Sequence, residues 1–484
     1  MENLKNLKSY KAINFFREMN MIPRGSGNEK AVSDWLVKFA KDRNLEVIQD
    51  EALNVIIKKP ATKGYENAPG VILQGHMDMV CEKNHDVDHD FEKDPIAFNI
   101  EGDFIKASGT TLGADNGIAV AFALAILDSD DIAHPAIEVL VTTEEETGMG
   151  GASSFDPENL KNRILINIDS EQEGEILVSC AGGVRAIVSV PVERVDTDKD
   201  YKALEISIKG LKGGHSGMEI VKQRGNANKM MGRVLMDLNS VIDFKLAAVN
   251  GGAKMNAIPR DCHAVIMVRE KDIKQVNNKV EEWISIFKNE LQGVEDNFTI
   301  EAADTNWNGK VFSDATRQNV LRTLFMMCDG VQTMSMAIPG LVESSTNLGV
   351  LTTGETEVEL ESAIRSSVKS QKKAIVDRMT VLAEILGCSI EFQSDYPEWQ
   401  YKPDSKIRTI FQRVYKEQFG KEVKVSAIHA GLECGLIGDK YHGEMDQISF
   451  GPSIIDVHTP NEHVSISSID RMYQYLINIL KEVK

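Results

Sequence analysis

No run of about twenty apolar residues is present that could span a bilayer. The chain opens Met1-Glu2-Asn3-Leu4-Lys5, with no apolar core of a secretion signal. Six cysteines (Cys81, Cys180, Cys262, Cys328, Cys388 and Cys434) are scattered without a Cys-x-x-Cys pair. This pattern points to reduced thiols in a cytoplasmic protein rather than a disulfide framework. Basic residues are outnumbered, 54 against 73 acidic ones, for a net charge of −19. Nucleic acid and anionic membranes need a basic face, so neither is an expected partner. Also missing are the Gly-x-Ser-x-Gly elbow, the Gly-x-x-x-x-Gly-Lys-Ser/Thr loop and the His-Glu-x-x-His helix. Serine hydrolases, nucleotide-dependent enzymes and single-zinc proteases lose their usual support. There is no low-complexity segment and no convincing repeat.

What remains is an ordinary globular composition, 42% hydrophobic and 26% charged, over 484 residues. That length exceeds one core and predicts two or three domains. Ala31 to Arg43 carries apolar residues at helical spacing, and Ile118 to Leu127 is an apolar run of helix formers. Val55 to Ile57, Val71 to Leu73, Ile137 to Val141 and Ile164 to Ile168 read as short buried strands. This alternation predicts an α/β fold: a mixed, mostly parallel sheet with helices on both faces. After about Arg185 the pattern changes. Strands at Ala203 to Ile208, Ala264 to Arg269 and Val358 to Ile364 flank longer helices at Asn226 to Leu238, Ile273 to Leu291 and Ser370 to Leu386. That reads as antiparallel α+β. The predicted organisation is a catalytic domain of residues 1–186 and 397–484, interrupted by an inserted α+β domain of residues 187–396.

Five residues of metal-ligating type stand at the ends of apolar runs: His76, Asp115, Glu146, Asp169 and His458. Two imidazoles and three carboxylates hold two divalent ions if one carboxylate bridges them. The donor set suits zinc, with manganese or cobalt as alternatives. His76, Glu146 and Asp169 follow strands, and Asp115 precedes a helix whose free N–H groups favour a carboxylate. No ligand of this set lies between Asp169 and His458, which is why an insertion is inferred.

Glu144-Glu145-Glu146 can divide labour, one carboxylate binding metal and another accepting a proton; spacing does not say which does which. As a bare charge run it would be a solvated surface, but the strand before it and Thr-Gly-Met-Gly-Gly after it argue otherwise. In His76-x-Asp78 the aspartate can orient the imidazole. His85 and His89 lie in an acidic loop and read as surface, and Cys81 is superfluous to a complete ligand set. His215, in Gly213-Gly214-His215-Ser216-Gly217, reads either as a turn histidine or as a contact to a developing oxyanion.

Taken in order, these motifs resemble the co-catalytic zinc peptidases, a family that includes aminoacylases, glutamate carboxypeptidases and cytosolic dipeptidases. The resemblance runs nearly end to end. It is carried by Pro23-Arg24-Gly25-Ser26-Gly27, Leu73 to Val80, Thr110 to Gly117, Asn167 to Glu171, Gly213 to Gly217, Asn256 to Arg260 and His429-Ala430-Gly431-Leu432-Glu433-Cys434-Gly435. It implies a dimetal hydrolase of small peptides whose inserted domain is a lid. It further implies that Asp115 bridges two ions, His76 and Asp169 completing one and Glu146 and His458 the other. Glu145 becomes the general base and Asp78 the orienter of His76. His215 and Asn256 are implied to reach the scissile carbonyl, and Arg365 the substrate carboxylate. The aromatic-proline pair expected after that arginine is absent, leaving Arg269 as the alternative, and His463 stands where relatives often have arginine. Rival readings are an aminoacylase or tripeptidase on the same centre, or a non-catalytic binding protein retaining the fold. Both a monomer and a homodimer are compatible with the sequence.

Overall fold

The computed structural model describes residues 4–484. These form two compact units. The first comprises the chain up to Ser179, Tyr401–Ala427 and Leu432–Lys484; the second comprises Cys180–Gln400 with Ile428–Gly431. The boundaries read from sequence, at 186/187 and 396/397, compare with unit limits at Ser179/Cys180 and Gln400/Tyr401.

The first unit is built on an eight-stranded mixed sheet. Its spatial order is Glu46–Gln49, Val55–Lys59, Ile137–Thr142, Val71–His76, Ile164–Asn167, Asp446–Ser449, Glu175–Cys180 and Lys424–Ile428. The four central strands beginning at Ile137, Val71, Ile164 and Asp446 pair parallel. The strands Glu46–Gln49, Val55–Lys59 and Glu175–Cys180 pair antiparallel. Val71–His76 and Ile137–Thr142 are buried throughout, as continuous apolar runs in a covered sheet should be. His76 pairs with Thr142 and Gln74 with Asn167, so the carboxyl ends of three neighbouring strands lie level. Ala114–Leu127 is apolar on nearly every side and accordingly buried as a core helix. The amphipathic helices Tyr10–Met19, Lys30–Asp42 and Ile466–Glu482 share its core.

A second, four-stranded sheet of this unit contains the hairpin Ile454–Ile455 and His463–Ser465. The loop of that hairpin carries His458. Among the described residues, no helix is long and apolar enough to cross a membrane.

The second unit is α+β. Its nine-stranded sheet is antiparallel, running from Thr299–Asp304 through Tyr201–Lys209, Cys262–Arg269, Phe244–Gly251, Val342–Thr353 and Glu357–Ser366 to Gly182–Pro191 and Ser389–Tyr396, with Gly330–Met334 also paired on Val342–Thr353. Strand Glu357–Ser366 alternates half-buried and buried residues, the period-two signature of an antiparallel strand. Its apolar positions Val358, Leu360 and Ile364 join one core with residues of helices Ala227–Val241, Ile273–Glu290, Asp314–Met326 and Lys369–Leu386.

Candidate active site

The first unit gathers His76, Asp78, Asp115, Glu145, Glu146, Asp169 and His458 beyond the carboxyl ends of its parallel strands. His76 is the last residue of its strand and is buried. Its Nε2 lies 3.3 Å from Asp115 Oδ1 and 3.4 Å from Asp169 Oδ1. Its other nitrogen, Nδ1, lies 3.2 Å from Asp78 Oδ1. His458 Nε2 lies 3.2 Å from Asp115 Oδ2 and 3.1 Å from Glu146 Oε2. The two oxygens of Asp115 therefore face different imidazoles.

Ligand-type atoms fall into three compact groups: His76, Asp115 and Asp169; Asp115, Glu146 and His458; and His76, Glu145 and Glu146. The first two share Asp115, while the third competes with them for His76 and Glu146. Cys81, His85 and His89 belong to none of the three. Cys81 is exposed, and the His89 ring packs on Phe91 with centroids 4.6 Å apart.

The backbone around these groups is unusual where they need it. Glu144, Asp456 and His458 adopt left-handed conformations, with φ of 52°, 54° and 61°. Non-glycine residues hold such geometry only where the surroundings impose it, and they cluster at functional sites. Gly113 precedes the Asp115 turn at φ 70°, and a Cβ there would fall 2.4 Å from Arg24 Nη2.

Supporting residues fix the cluster. Asp78 accepts hydrogen bonds from the backbone N–H groups of Glu145 and Glu146 at 3.1 and 3.3 Å and from Ser26 Oγ at 2.8 Å. One carboxylate thus ties the His76 loop to the glutamate turn. Asn116 accepts from His76 N–H through Oδ1 and donates through Nδ2 to the Ile168 carbonyl. Arg24 is fully buried and donates to the carbonyls of Met77, Asp78 and Gly113.

Glu462, at the end of the His458 loop, accepts from four consecutive backbone N–H groups, Leu112 to Asp115, at 2.7 to 3.2 Å. It locks the Asp115 turn to the His458 loop. Glu462→Gln replaces one acceptor oxygen by a donor against those N–H groups. The variant should lose at least about 1–3 kcal/mol of stability, the cost of leaving a buried group unpaired. Urea denaturation measures this, and an unchanged midpoint would contradict the role. Glu433 is buried too, accepting from Thr142 Oγ1 at 2.9 Å and from Gln74 Nε2.

Electrostatics show what the cluster lacks. Burial pushes Glu145 well above the ordinary carboxylate range, Asp169 to about 6, and Glu171 and Glu433 to about 7. Burial also opposes ionisation of Asp115, but hydrogen bonds from His458 and His76 outweigh it and lower its pKa. Burial opposes charge on His76 as well, yet Asp115, Asp169 and Asp78 raise it well above 6.5. Hydrogen bonds to Asp115 and Glu146 lift His458 to about 11. Glu146 Oε1 is buried without a hydrogen-bond partner. Such a surplus of buried carboxylates, with imidazole nitrogens turned toward them, fits divalent cations by both charge and donor type.

A testable consequence is that metal uptake by stripped protein at pH 7 should release protons, because both imidazoles must deprotonate to ligate. Titration in unbuffered solution would measure the release; none would mean the imidazoles are not ligands. The linkage has a definite sign. His458 has a folded pKa above its unfolded value, so in metal-free protein its stabilisation is complete below about pH 6.5 and is lost as pH rises through about 11.

The second unit holds the remaining sequence candidates. His215 is half-buried, and its Nδ1 accepts from the N–H groups of Gly217 and Met218 at 3.3 and 3.1 Å. That places the ring proton on Nε2, and burial together with Arg365 keeps the ring neutral. Arg365 donates to Tyr396 Oη at 2.9 Å, and its Nε is buried without a partner. Arg269 instead lies over the Tyr201 ring, 5.6 Å from its centroid. Asn256 is exposed.

The chain matches peptidase family M20/M25/M40 over residues 72–482 and belongs to that family. It is therefore a hydrolase acting on peptide bonds. It is 39% identical to the cytosol non-specific dipeptidase of Escherichia coli strain K12, over 100% of this chain and 99% of that one. It is also similar to the crystal structure of aminoacylhistidine dipeptidase from Vibrio alginolyticus, with a TM-score of 0.95 and 38% identity, covering 100% and 99% of the two chains. Aminopeptidase PepT from Bacillus cereus shares the fold, with a TM-score of 0.58 at 16% identity over 99% of each chain.

Proposed function

We propose that this chain is a cytoplasmic metallo-dipeptidase that holds two divalent ions, zinc by donor preference, and cleaves free dipeptides, Xaa-His and β-alanyl-histidine among them. One observation carries the metal reading: the two oxygens of Asp115 face two different imidazoles, each with its own further carboxylate. Full-length likeness to two dipeptidases carries the substrate class.

In this reading His76 and Asp169 would hold one ion and Glu146 and His458 the other, with Asp115 shared between the two groups. When bound, such a pair polarises a carbonyl and acidifies water enough for attack near neutral pH. Asp78 faces His76 Nδ1, which presents the Nε2 lone pair as the ligand atom. Glu145 accepts the proton of the attacking water and passes it to the nitrogen of the breaking C–N bond. Its backbone N–H donates to Asp78, so Glu145 and His76 are positioned by one carboxylate.

From the second unit we assign His215 and Asn256 to the scissile carbonyl and Arg365 to the substrate carboxylate, the unit serving as a lid. The tautomer supports the first assignment, since His215 has only an Nε2–H donor to offer. The unpaired donor of Arg365 supports the second.

Hydrolysis of a dipeptide panel, with β-alanyl-histidine and an N-acetyl amino acid included, tests the reading on zinc-reconstituted protein. Cleavage of free dipeptides alone is expected. Cleavage of the acetylated substrate alone would make the protein an aminoacylase, and cleavage of none by metal-replete protein would leave a binding protein.

A further inference from the structure

We infer that Asn347 is the positioning residue that sets the strap carrying Asn256 and, through it, the turn carrying His215. The inference rests on the assignment of those two residues to the substrate.

Asn347 lies in the strand Val342–Thr353 and is 1% exposed. Its Nδ2 donates to the carbonyls of Met255 and Ala257, both at 2.9 Å. These two carbonyls bracket Asn256. Two acceptors require a donor at this position, so the amide orientation is fixed. The strap passes the constraint on. The Asn256 carbonyl accepts from Ser216 N–H at 2.9 Å, and Gly214 and His215 pair with Ile258 and Ala257 in a two-residue ladder.

Besides these, the Gly252 N–H donates to the Asp261 carbonyl at 3.2 Å and the Ala257 N–H to the Lys254 carbonyl at 3.1 Å. Gly252, Ala253, Lys254 and Asn256 are exposed. The strap's backbone rests on Gly349, where a Cβ would fall 2.4 Å from the Met255 carbonyl oxygen. Gly349 falls where the pairing of that strand with Glu357–Ser366 shifts register, between Leu348 and Val350. A bulge thus brings the strand's backbone under the strap, and the neighbouring amide ties the strap down. No other uncharged side chain of this size offers two N–H donors from one atom: aspartate would set oxygens against carbonyls, and leucine would leave both unpaired.

Asn347→Asp should lower kcat by about tenfold to hundredfold, as small misplacements of positioned groups do, with metal content unchanged. Amide hydrogen exchange should rise at Ser216 and Ala257. Asn226→Ala is the control for mere loss of a buried amide: Asn226 donates to Asp329 and to the Leu348 carbonyl of the same strand, and to neither strap carbonyl. It should lower the melting temperature without the exchange change. In a His215→Ala, Asn256→Ala background, Asn347→Asp should cost less than about twofold further, because the three act as one unit. If Asn347 variants do not fold, Gly349→Ala displaces the strap from beneath and should show the same kcat and exchange changes.

A kcat within about threefold of the parent, or full additivity with the His215→Ala, Asn256→Ala pair, would overturn the inference. If His215→Ala and Asn256→Ala leave kcat unchanged, the substrate assignment fails. Exchange at Ser216 and Ala257 then still decides whether Asn347 tethers the strap.

Discussion

Glu145→Ala should lower kcat by about 10²–10⁴-fold while the protein keeps its metal, since that is what a positioned general base contributes. The residue is set for the task by its turn. Glu144 takes the left-handed conformation, and the N–H groups of Glu145 and Glu146 both donate to Asp78. Glu146 Oε2 meets His458, and Glu145 groups with His76 and Glu146. Burial raises the Glu145 pKa in the metal-free state. Cations nearby favour the ionised form and bring the group back toward a basic carboxylate at neutral pH. Glu145→Gln tests charge rather than shape and should fall nearly as far as alanine. Steady-state kinetics and metal analysis on the same preparation separate the readings. A loss under about tenfold would remove Glu145 as base. Full loss of bound metal would instead make it a ligand, the role it has in the competing group with His76 and Glu146.

How far the sequence could be read follows from the range of the interactions involved. Val71 to Leu73 and Ile137 to Val141 were legible because a strand buried on both faces needs an unbroken apolar run, and chemistry-bearing residues directly after such runs stand out. The same logic found the helix after Asp115, whose residues are apolar on every side. The antiparallel flanks of the first sheet were not legible, because strand direction depends on partners rather than on pattern. Glu462 was passed over in favour of its neighbour His463. Its function appears only when Leu112 to Asp115, about 350 residues away, present four N–H groups to it. Arg24 and Ser26 stood in a recognisable motif, but only the fold places Arg24 on the Gly113 carbonyl and Ser26 on Asp78. Asn347 had no signal at all, since an asparagine in a strand becomes a tether only when two carbonyls lie opposite it.

In the proposed reading both metal positions depend on Asp115 more than on any other residue, and Asp115→Ala should be the most damaging ligand substitution. His458→Ala removes one donor from one group, leaving His76, Asp115 and Asp169 as a three-donor set. Asp115→Ala removes a donor from both groups and leaves two imidazoles that no longer share an anion between them. Buried His76 then keeps Asp169 and Asp78, with Glu145 and Glu146 nearby, and His458 keeps Glu146. Metal stoichiometry should fall from two to below one, and activity should drop by at least the factor of about 10²–10⁴ that loss of the base brings. The folded state should largely survive, because the four N–H groups of the turn are satisfied by Glu462 rather than by Asp115. Metal analysis after dialysis, beside circular dichroism, would check this. If Asp115→Ala retained two ions, the carboxylate would not be the bridge, and the site would have to be rebuilt around Glu146, the other carboxylate shared by two of the groups.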